Sequence, residues 1–593
     1  MVATDHGYHD EEITGVDALQ VQKRYGEERA KRLRDEGYSQ FVDISLNEKF
    51  KSFIDDPCVD ESVVKDAKAM FPDNRCQFLI LGGGFGGLLY AIHMIKAGTR
   101  SEDIRIVDSA GGFGGTWYWN RYPGLSCDIE SYMYLPLLKE TGYIPRHRYS
   151  EGEEIRTYAN LLAQKWGITE SAVFQTQAQK LVWDETAKEW QIELKQQRSG
   201  KEPQILNICA PFVAVSNGVL NWAKIPGIPD KRVAIIGTGA TATQTVPHVA
   251  RWAKHLYVVQ RTPASLAQRE QRETDPEWFR KSVASSKGWQ RGRLRNFHQH
   301  FTLEQPPAIN MVDDEWMRGP GIEIPSYLEK LQNIDLPRLE SIRKRVEDEV
   351  SDPAVAEVLK PWYPSWCKRP LFHDEYLSTF NRENITIVDT EGKGTDSLTT
   401  DSIVVGDQSY PVDIVIFATG FRPPFIGSPA EKANVSIVGR NDISMSEEWA
   451  RNGPSTLHGV LDHNFPNLFL SGPWQASNSP NYAYTPDFMA KHSANIFAEA
   501  KRRADGKPFT VTVTKAAAED WAMQMIMHSF PGAAVLGCTP GYINIEGQLD
   551  RAPPEQQMIM ARSGVWGHGF ESYARAVEEW YEKGNWQDIE VET

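Results

Sequence analysis

The sequence predicts an α/β fold of two Rossmann-like dinucleotide-binding domains with an inserted helical subdomain. Three observations carry this. Glycine-rich turns occur twice, as Gly-Gly-Gly-Phe-Gly-Gly at 82–87 and Gly-Thr-Gly-Ala-Thr-Ala at 237–242. Each turn follows a short apolar run and opens an amphipathic stretch that leads to a second apolar run, the order strand, turn, helix, strand. At 593 residues, the chain also exceeds what one hydrophobic core organises.

Composition narrows the function classes. A net charge of −15 argues against a general nucleic-acid binder, whose affinity comes from phosphate contacts. No run of 18 apolar residues occurs, so no membrane span is expected. Six cysteines are widely spaced without a C-x-x-C, so neither a disulfide framework nor a zinc module is indicated. His298 and His300, and His6 with His9, lack partners for a metal site and read as surface polar residues; no metal is expected. The polar, acidic first residues do not read as a signal or transit peptide, which points to the cytoplasm.

In chain order, residues 1–15 read as disordered and 17–36 as a charged helix. Glu27 with Lys31 and Glu28 with Arg32 stand in i,i+4 register, and Gly37 stops the helix. Its apolar stripe is thin, so within a 1–69 extension it reads as an appendage lying on the main body. The first domain, 70–220 with 397–593, opens with strand 77–81 and its glycine turn. Leu88, Ala91, Ile92 and Ile95 then mark one helix face up to Gly98. Strand 104–107 ends on Asp108. Helix 153–166 and strands 173–194 and 204–215 follow. A short Pro/Gly linker, 219–230, leads to the second domain, 229–396. That domain has strand 232–236, a helix to about 253, strand 256–259, a helical insertion at about 264–350, and strands 384–389 and 402–405. Residues 413–421 (Asp-Ile-Val-Ile-Phe-Ala-Thr-Gly-Phe) form an apolar strand of the kind that brings such chains back toward the first domain. Strand 467–470 and helices near 486–503 and 513–528 complete the pattern.

The two turns differ in what they suit. Gly82, Gly84 and Gly87 occupy G-x-G-x-x-G. The first glycine permits the turn, the second lets backbone approach a pyrophosphate, and the third lets helix pack on strand. Asp108, closing the next strand, is placed to accept hydrogen bonds from a ribose 2′-OH, which suits FAD. In the second unit, Gly237, Gly239 and Ala242 form G-x-G-x-x-A, and the strand closes on Gln260-Arg261-Thr262. A guanidinium there binds a 2′-phosphate that a carboxylate would repel, which suits NADPH. Thr238, Gln244 and Thr262 join this second set. Two dinucleotide sites in one chain imply hydride transfer from nicotinamide to flavin.

Residues 114–128, Gly-Gly-Thr-Trp-Tyr-Trp-Asn-Arg-Tyr-Pro-Gly-Leu-Ser-Cys-Asp, and 367–376, Cys-Lys-Arg-Pro-Leu-Phe-His-Asp-Glu-Tyr, resemble the corresponding segments of Baeyer–Villiger monooxygenases. The likeness runs from about residue 20 to the C-terminus and includes 538–542 (Cys-Thr-Pro-Gly-Tyr). The N-terminal helix resembles that of the subgroup with extended N-termini that accepts bulky ketones. The resemblance implies that Phe85, Gly115, Thr116, Trp117, Tyr122, Asp128 and Tyr134 line the FAD site. It further implies that Lys368 recognises NADPH and that Arg369 is catalytic, oriented by Asp128. The implied reaction inserts one oxygen atom of O2 next to a ketone carbonyl through a flavin C4a-peroxide, giving an ester or lactone. A permanently charged guanidinium suits that step because it favours the anionic peroxide and the charge developing on the substrate oxygen. Without the resemblance, Lys368 and Arg369 are as well explained as a solvated basic pair, and Asp128 as a helix cap.

One signature is missing. The family pattern Phe-x-Gly-x-x-x-His-Thr-x-x-Trp belongs between the two glycine turns, yet no His-Thr pair occurs between Gly218 and Gly237. A few dozen linker residues are absent. Oxygenation of sulfur or nitrogen, an uncoupled NADPH oxidase and a non-catalytic homologue therefore stay open beside the ketone reading. The expected partners are a small-molecule ketone and O2, with the chain acting as a monomer.

Overall fold

The computed structural model describes residues 18–42, 47, 49–50, 55–218, 227–300, 309–312, 314, 316, 327–421, 427–529 and 534–593. The expected disordered start at 1–15, with His6 and His9, and residues 219–226 of the linker lie outside them.

The charged N-terminal stretch forms helix α1 (Ala18–Arg32). The first nucleotide unit follows as β1 (Phe78–Leu81), α2 (Phe85–Lys96) and β2 (Ile104–Val107), and β3 (Phe212–Val215) lies on the other side of β1. β1 pairs in parallel with both neighbours, Phe78 opposite Ile104 and Phe212. A central parallel strand is covered on both faces, which is why all four β1 side chains are apolar and buried. Phe78 and Ile80 point into a core with Leu88 and Ile92 of α2 and with Met489, Ile496 and Phe497 of the helix Tyr484–Ala504. Leu79 and Leu81 point the other way, onto Trp190, Ile192 and Leu194. The sheet has seven strands and runs on through Ala172–Val173 at one edge and Leu468–Leu470 toward the other.

The second unit repeats the plan with β4 (Arg232–Ile236), α3 (Ala240–Trp252), β5 (His255–Gln260), β6 (Ile385–Asp389) and β7 (Ile414–Phe417). These four strands are all parallel, in the order β6, β5, β4, β7. The correspondence extends to single hydrogen bonds. Gly82 N–H donates to Val107 O and Gly237 N–H to Val259 O, both at 2.9 Å. Ser216 N–H donates to Leu81 O and Ala418 N–H to Ile236 O, again both at 2.9 Å.

Several expectations need correction. The single strand expected over 173–194 is three. Ala172–Val173 ends the seven-stranded sheet, while Thr176–Asp184 and Glu189–Gln196 form a hairpin turned at Lys188, where φ is 54°. Likewise 204–215 divides into Gln204–Ala210, the third antiparallel strand, and β3. Period-two patterning continues through a tight turn, so it cannot mark where a chain folds back. The return to the first sheet, expected from residue 397, comes later. β7 pairs with β4, and Ile403 and Val412 pack with Ala234 and Val259, so 397–417 stays with the second sheet. His298 is not a surface residue: it is 1% exposed, with its ring nitrogens 2.6 Å from Leu294 O and 2.5 Å from Ser479 Oγ.

The cysteine reading also changes, because Cys367 and Cys538 form a disulfide with a Cα–Cα distance of 5.3 Å. They lie 171 residues apart, so no local spacing announces the pair. Among the described residues no helix is long and apolar enough to cross a membrane, and no group of three His, Cys, Asp or Glu side chains could hold a metal.

Candidate active site

Both glycine turns have the geometry of phosphate cradles. Gly82 and Gly237 sit at φ of 110° and 112°, where a side chain is strained. A Cβ on Gly87 would stand 1.8 Å from Gly82 O, so only glycine lets α2 approach the turn this closely. Gly84 and Gly239 precede the two helices with nearly equal angles (φ −77° and −78°), and no side chain caps either helix. Their first-turn N–H groups have no side-chain cap, an arrangement that suits a phosphate in the field of a helix N-terminus. In front of Gly239 there is open space within 4 Å, so this turn fits the backbone approach of a pyrophosphate.

Asp108 braces the first turn. Its carboxylate accepts from Gly83 N–H at 2.5 Å and Ala110 N–H at 2.7 Å, and burial raises its pKa against those two hydrogen bonds. Below the turn, Phe85, Trp117 and Tyr134 pack edge to face, and Trp117 Nε1 donates to Tyr134 Oη at 2.8 Å. Gly115, at φ 56°, passes so close to Gly84 that its Cβ would lie 2.9 Å from the Gly84 Cα. Thr116 is exposed and accepts from Asn120 Nδ2. Backbone donors, close-approach glycines and packed aromatic side chains therefore lie in one place.

The loop after this cluster joins the two units. Gln244, on α3, donates to Ser126 O at 2.9 Å and accepts from Tyr122 Oη at 3.2 Å. Gly124, at φ 80°, lets that loop pass α3, where a Cβ would stand 2.4 Å from Gln244 O. A groove of about 570 Å³ opens beside Tyr122 and Ser126, lined by charges of both signs such as Arg121, Arg269, Glu153 and Asp374.

Asp128 and Arg369 meet across the units. Arg369 Nη2 donates to Asp128 Oδ1 at 2.8 Å. Asp128 is not a helix cap, since Glu130 precedes the turn Ser131–Tyr134. The Asp128 charge raises the pKa of the Arg369 guanidinium, so it stays charged at any working pH. The parallel pairing of Leu371–Phe372 with Leu266–Ala267 sets the Lys368–Arg369 segment in place. Trp316 braces the pair: its Nε1 donates to Asp128 O at 3.1 Å, and the Arg369 guanidinium lies 5.7 Å from its ring centre. Asp314 accepts from Glu130 N–H at 3.1 Å, and burial pushes its carboxyl up to about 7. Nothing in the sequence pattern points to Asp314 or Trp316.

Lys368 and Arg261 meet at the end of β5. Arg261 stands 3.2 Å from Glu546. Lys368 Nζ donates to Pro540 O at 2.8 Å. Burial, with repulsion from Arg261 and Arg32, brings the Lys368 ammonium down to about 7 against the opposite pull of Glu546. An arriving phosphate would restore its charge. Thr238 Oγ1 donates to Thr262 O at 2.5 Å, fixing the strand end to the glycine turn, and Ala242 is fully buried where α3 packs.

Comparison with known proteins decides the family. The chain is 39% identical to the polycyclic ketone monooxygenase of Thermothelomyces thermophilus, over 96% of each chain. It is 37% identical to the FAD-binding monooxygenase ausC of Aspergillus calidoustus, over 98% of this chain and 95% of that one. The chain belongs to the Baeyer–Villiger monooxygenases. A solved structure of the Thermothelomyces polycyclic ketone monooxygenase matches this monooxygenase with a TM-score of 0.90, covering 97% of this chain and 99% of that one. At 23% identity, an oxidised steroid monooxygenase bound to NADP shares the fold, with a TM-score of 0.67 over 87% of this chain and 99% of that one. No protein-family model matches. The alignment to the Thermothelomyces enzyme spans 632 positions, more than the 593 residues of this monooxygenase. It therefore contains gaps on this side, in keeping with the short stretch between Gly218 and Gly237.

Proposed function

We propose that this monooxygenase uses FAD and NADPH to insert one oxygen atom of O2 beside the carbonyl of a bulky ketone, with Arg369 and Asp128 at the reacting centre. The observation that carries the assignment is the Asp128–Arg369 ion pair, which reaches across two nucleotide cradles of different charge. The 82–87 turn would hold FAD, which when bound would supply the oxygen-activating chemistry. Arg369 holds a fixed positive charge where negative charge builds on the ketone oxygen, and Asp128 fixes the direction of the guanidinium. Lys368 and Arg261 hold the 2′-phosphate, Asp108 shapes the FAD turn, and Gln244 keeps the two sites in register. A polycyclic or otherwise bulky ketone is favoured by the name and overall likeness of the Thermothelomyces relative.

The test is NADPH-driven oxygen uptake by the purified FAD-loaded protein with and without a polycyclic ketone, followed by product mass analysis. One ester or lactone per NADPH consumed supports the reading. Hydrogen peroxide alone, with every ketone offered, removes it.

A further inference from the structure

The N-terminal helix reaches the second nucleotide site. Arg32, the last residue of α1, is 5% exposed. Its Nε donates to Arg261 O and to Thr262 Oγ1, each at 3.0 Å, while its Nη1 is held by Glu28 O at 2.7 Å and Glu28 Oε2 at 2.6 Å. Gln40, just beyond the helix, brings its Oε1 within 3.4 Å of Arg261 Nη1. The seat is specific: Gly392, at φ 84°, follows β6, and a Cβ there would stand 2.8 Å from Arg32 Cγ. From the other end of the chain, Glu546, 3% exposed, pairs with Arg261. Arg29 of α1 donates to Cys538 O at 3.2 Å and pairs with Asp550, tying the helix to the segment that carries Glu546.

We propose that α1 is a working part of the cofactor's 2′-phosphate site. Arg32 is a positioning residue that fixes the strand end bearing Arg261 and adds positive charge, and Glu546 is a counter-charge that competes with the phosphate for Arg261. The proposal rests on the assignment of Arg261 and Lys368 to NADPH. Three cations, Arg32, Arg261 and Lys368, face two carboxylates, Glu28 on Arg32 and Glu546 on Arg261, so a dianionic phosphate still gains from the excess positive charge, while Glu546 offsets part of it at Arg261 itself. The two neighbours therefore act with opposite sign on the same ligand. A purely structural role for α1 predicts no such opposition, because lost packing weakens every ligand alike.

The experiment measures calorimetric binding of adenosine 2′,5′-bisphosphate, with 5′-AMP as the probe lacking the 2′-phosphate, to the FAD-loaded full-length protein and its variants. Arg32→Met is expected to weaken the bisphosphate about tenfold, the scale of one lost charge-assisted contact, and to leave AMP unchanged. Glu546→Gln, which keeps the size of the side chain, is expected to tighten the bisphosphate several-fold without moving AMP. Arg32→Lys restores charge but not the double contact to Arg261 O and Thr262 Oγ1, so it recovers only part of the loss. Equal changes for both probes, or a weaker bisphosphate in Glu546→Gln, overturn the proposal. The sign of the Glu546→Gln effect decides the matter even where Arg32→Met fails to fold. Arg261→Ala separates the two levels. If it leaves bisphosphate binding intact, the phosphate site itself is misassigned. If Arg261→Ala loses the preference while Arg32→Met and Glu546→Gln keep it, only the role of α1 and its counter-charge falls.

Discussion

With Lys368 set against the 2′-phosphate, as proposed, the affinity for NADPH should depend on pH in a way that NADH cannot share. Its ammonium is brought down to about 7 by burial and by Arg261 and Arg32. Below that value the side chain is charged and ready for the 2′-phosphate. Above it, binding NADPH must first protonate the amine, which costs about 1.4 kcal/mol for each pH unit. Between pH 7 and 9 the Michaelis constant for NADPH should therefore rise by up to about a hundredfold, while that for NADH, with no 2′-phosphate, stays flat across the window. The assay is steady-state NADPH and NADH oxidation at saturating ketone from pH 6.5 to 9.5. Lys368→Met removes the titrating group and should flatten the NADPH curve at a uniformly weaker value. Parallel pH curves for the two cofactors, or a slope that survives in Lys368→Met, would refute the placement of Lys368 against the phosphate.

Three shorter predictions follow from contacts. Gly87→Ala should purify without FAD, because the added methyl group meets Gly82 O at 1.8 Å; an absorption spectrum with full flavin content contradicts this. Asp128→Ala should lower product formation by about ten- to a hundredfold, the worth of a charge-assisted hydrogen bond, while leaving flavin reduction measurable by stopped flow. Reducing the Cys367–Cys538 disulfide, or changing Cys538 to Ser, should lower the melting temperature and raise the Michaelis constant for NADPH, since it frees the segment whose Pro540 O holds Lys368. Chain entropy for a 171-residue loop sets an upper value of about 5 kcal/mol. Two free thiols at these positions in the native protein, found by alkylation under non-reducing conditions, contradict the pairing.

The glycine turns were legible in the sequence because their function is local. Gly82, Gly87 and Gly237 announce positive φ and close approach within a few residues, and the apolar runs of β1 and β4 announce burial on both faces. Within 413–421 only Ile414–Phe417 form a strand, and periodicity does not say which sheet a strand joins, so the pattern does not locate the return to the first sheet. The site residues that escaped notice act over long separations. Arg32 meets Arg261 across 229 positions, Asp314 meets Glu130 across 184, and Cys367 meets Cys538 across 171. No spacing rule connects such pairs, because tertiary packing alone brings them together. Asp128 and Arg369, 241 positions apart, were paired only through the family resemblance.

The central claim is that Arg369 serves oxygen insertion and not cofactor reduction, and one paired measurement tests it. Stopped-flow reduction of the flavin by NADPH is followed in the wild type and in Arg369→Ala, and ketone products are then quantified under oxygen from the same preparations. Arg369→Ala should still bind FAD and be reduced by NADPH, while ester or lactone per NADPH falls about 10²–10³-fold, the usual loss on removing a positioned electrostatic stabiliser. Arg369→Lys should recover little, since an ammonium lacks the planar, permanently charged guanidinium whose Nη2 meets Asp128. Near wild-type product per NADPH from Arg369→Ala would contradict the account.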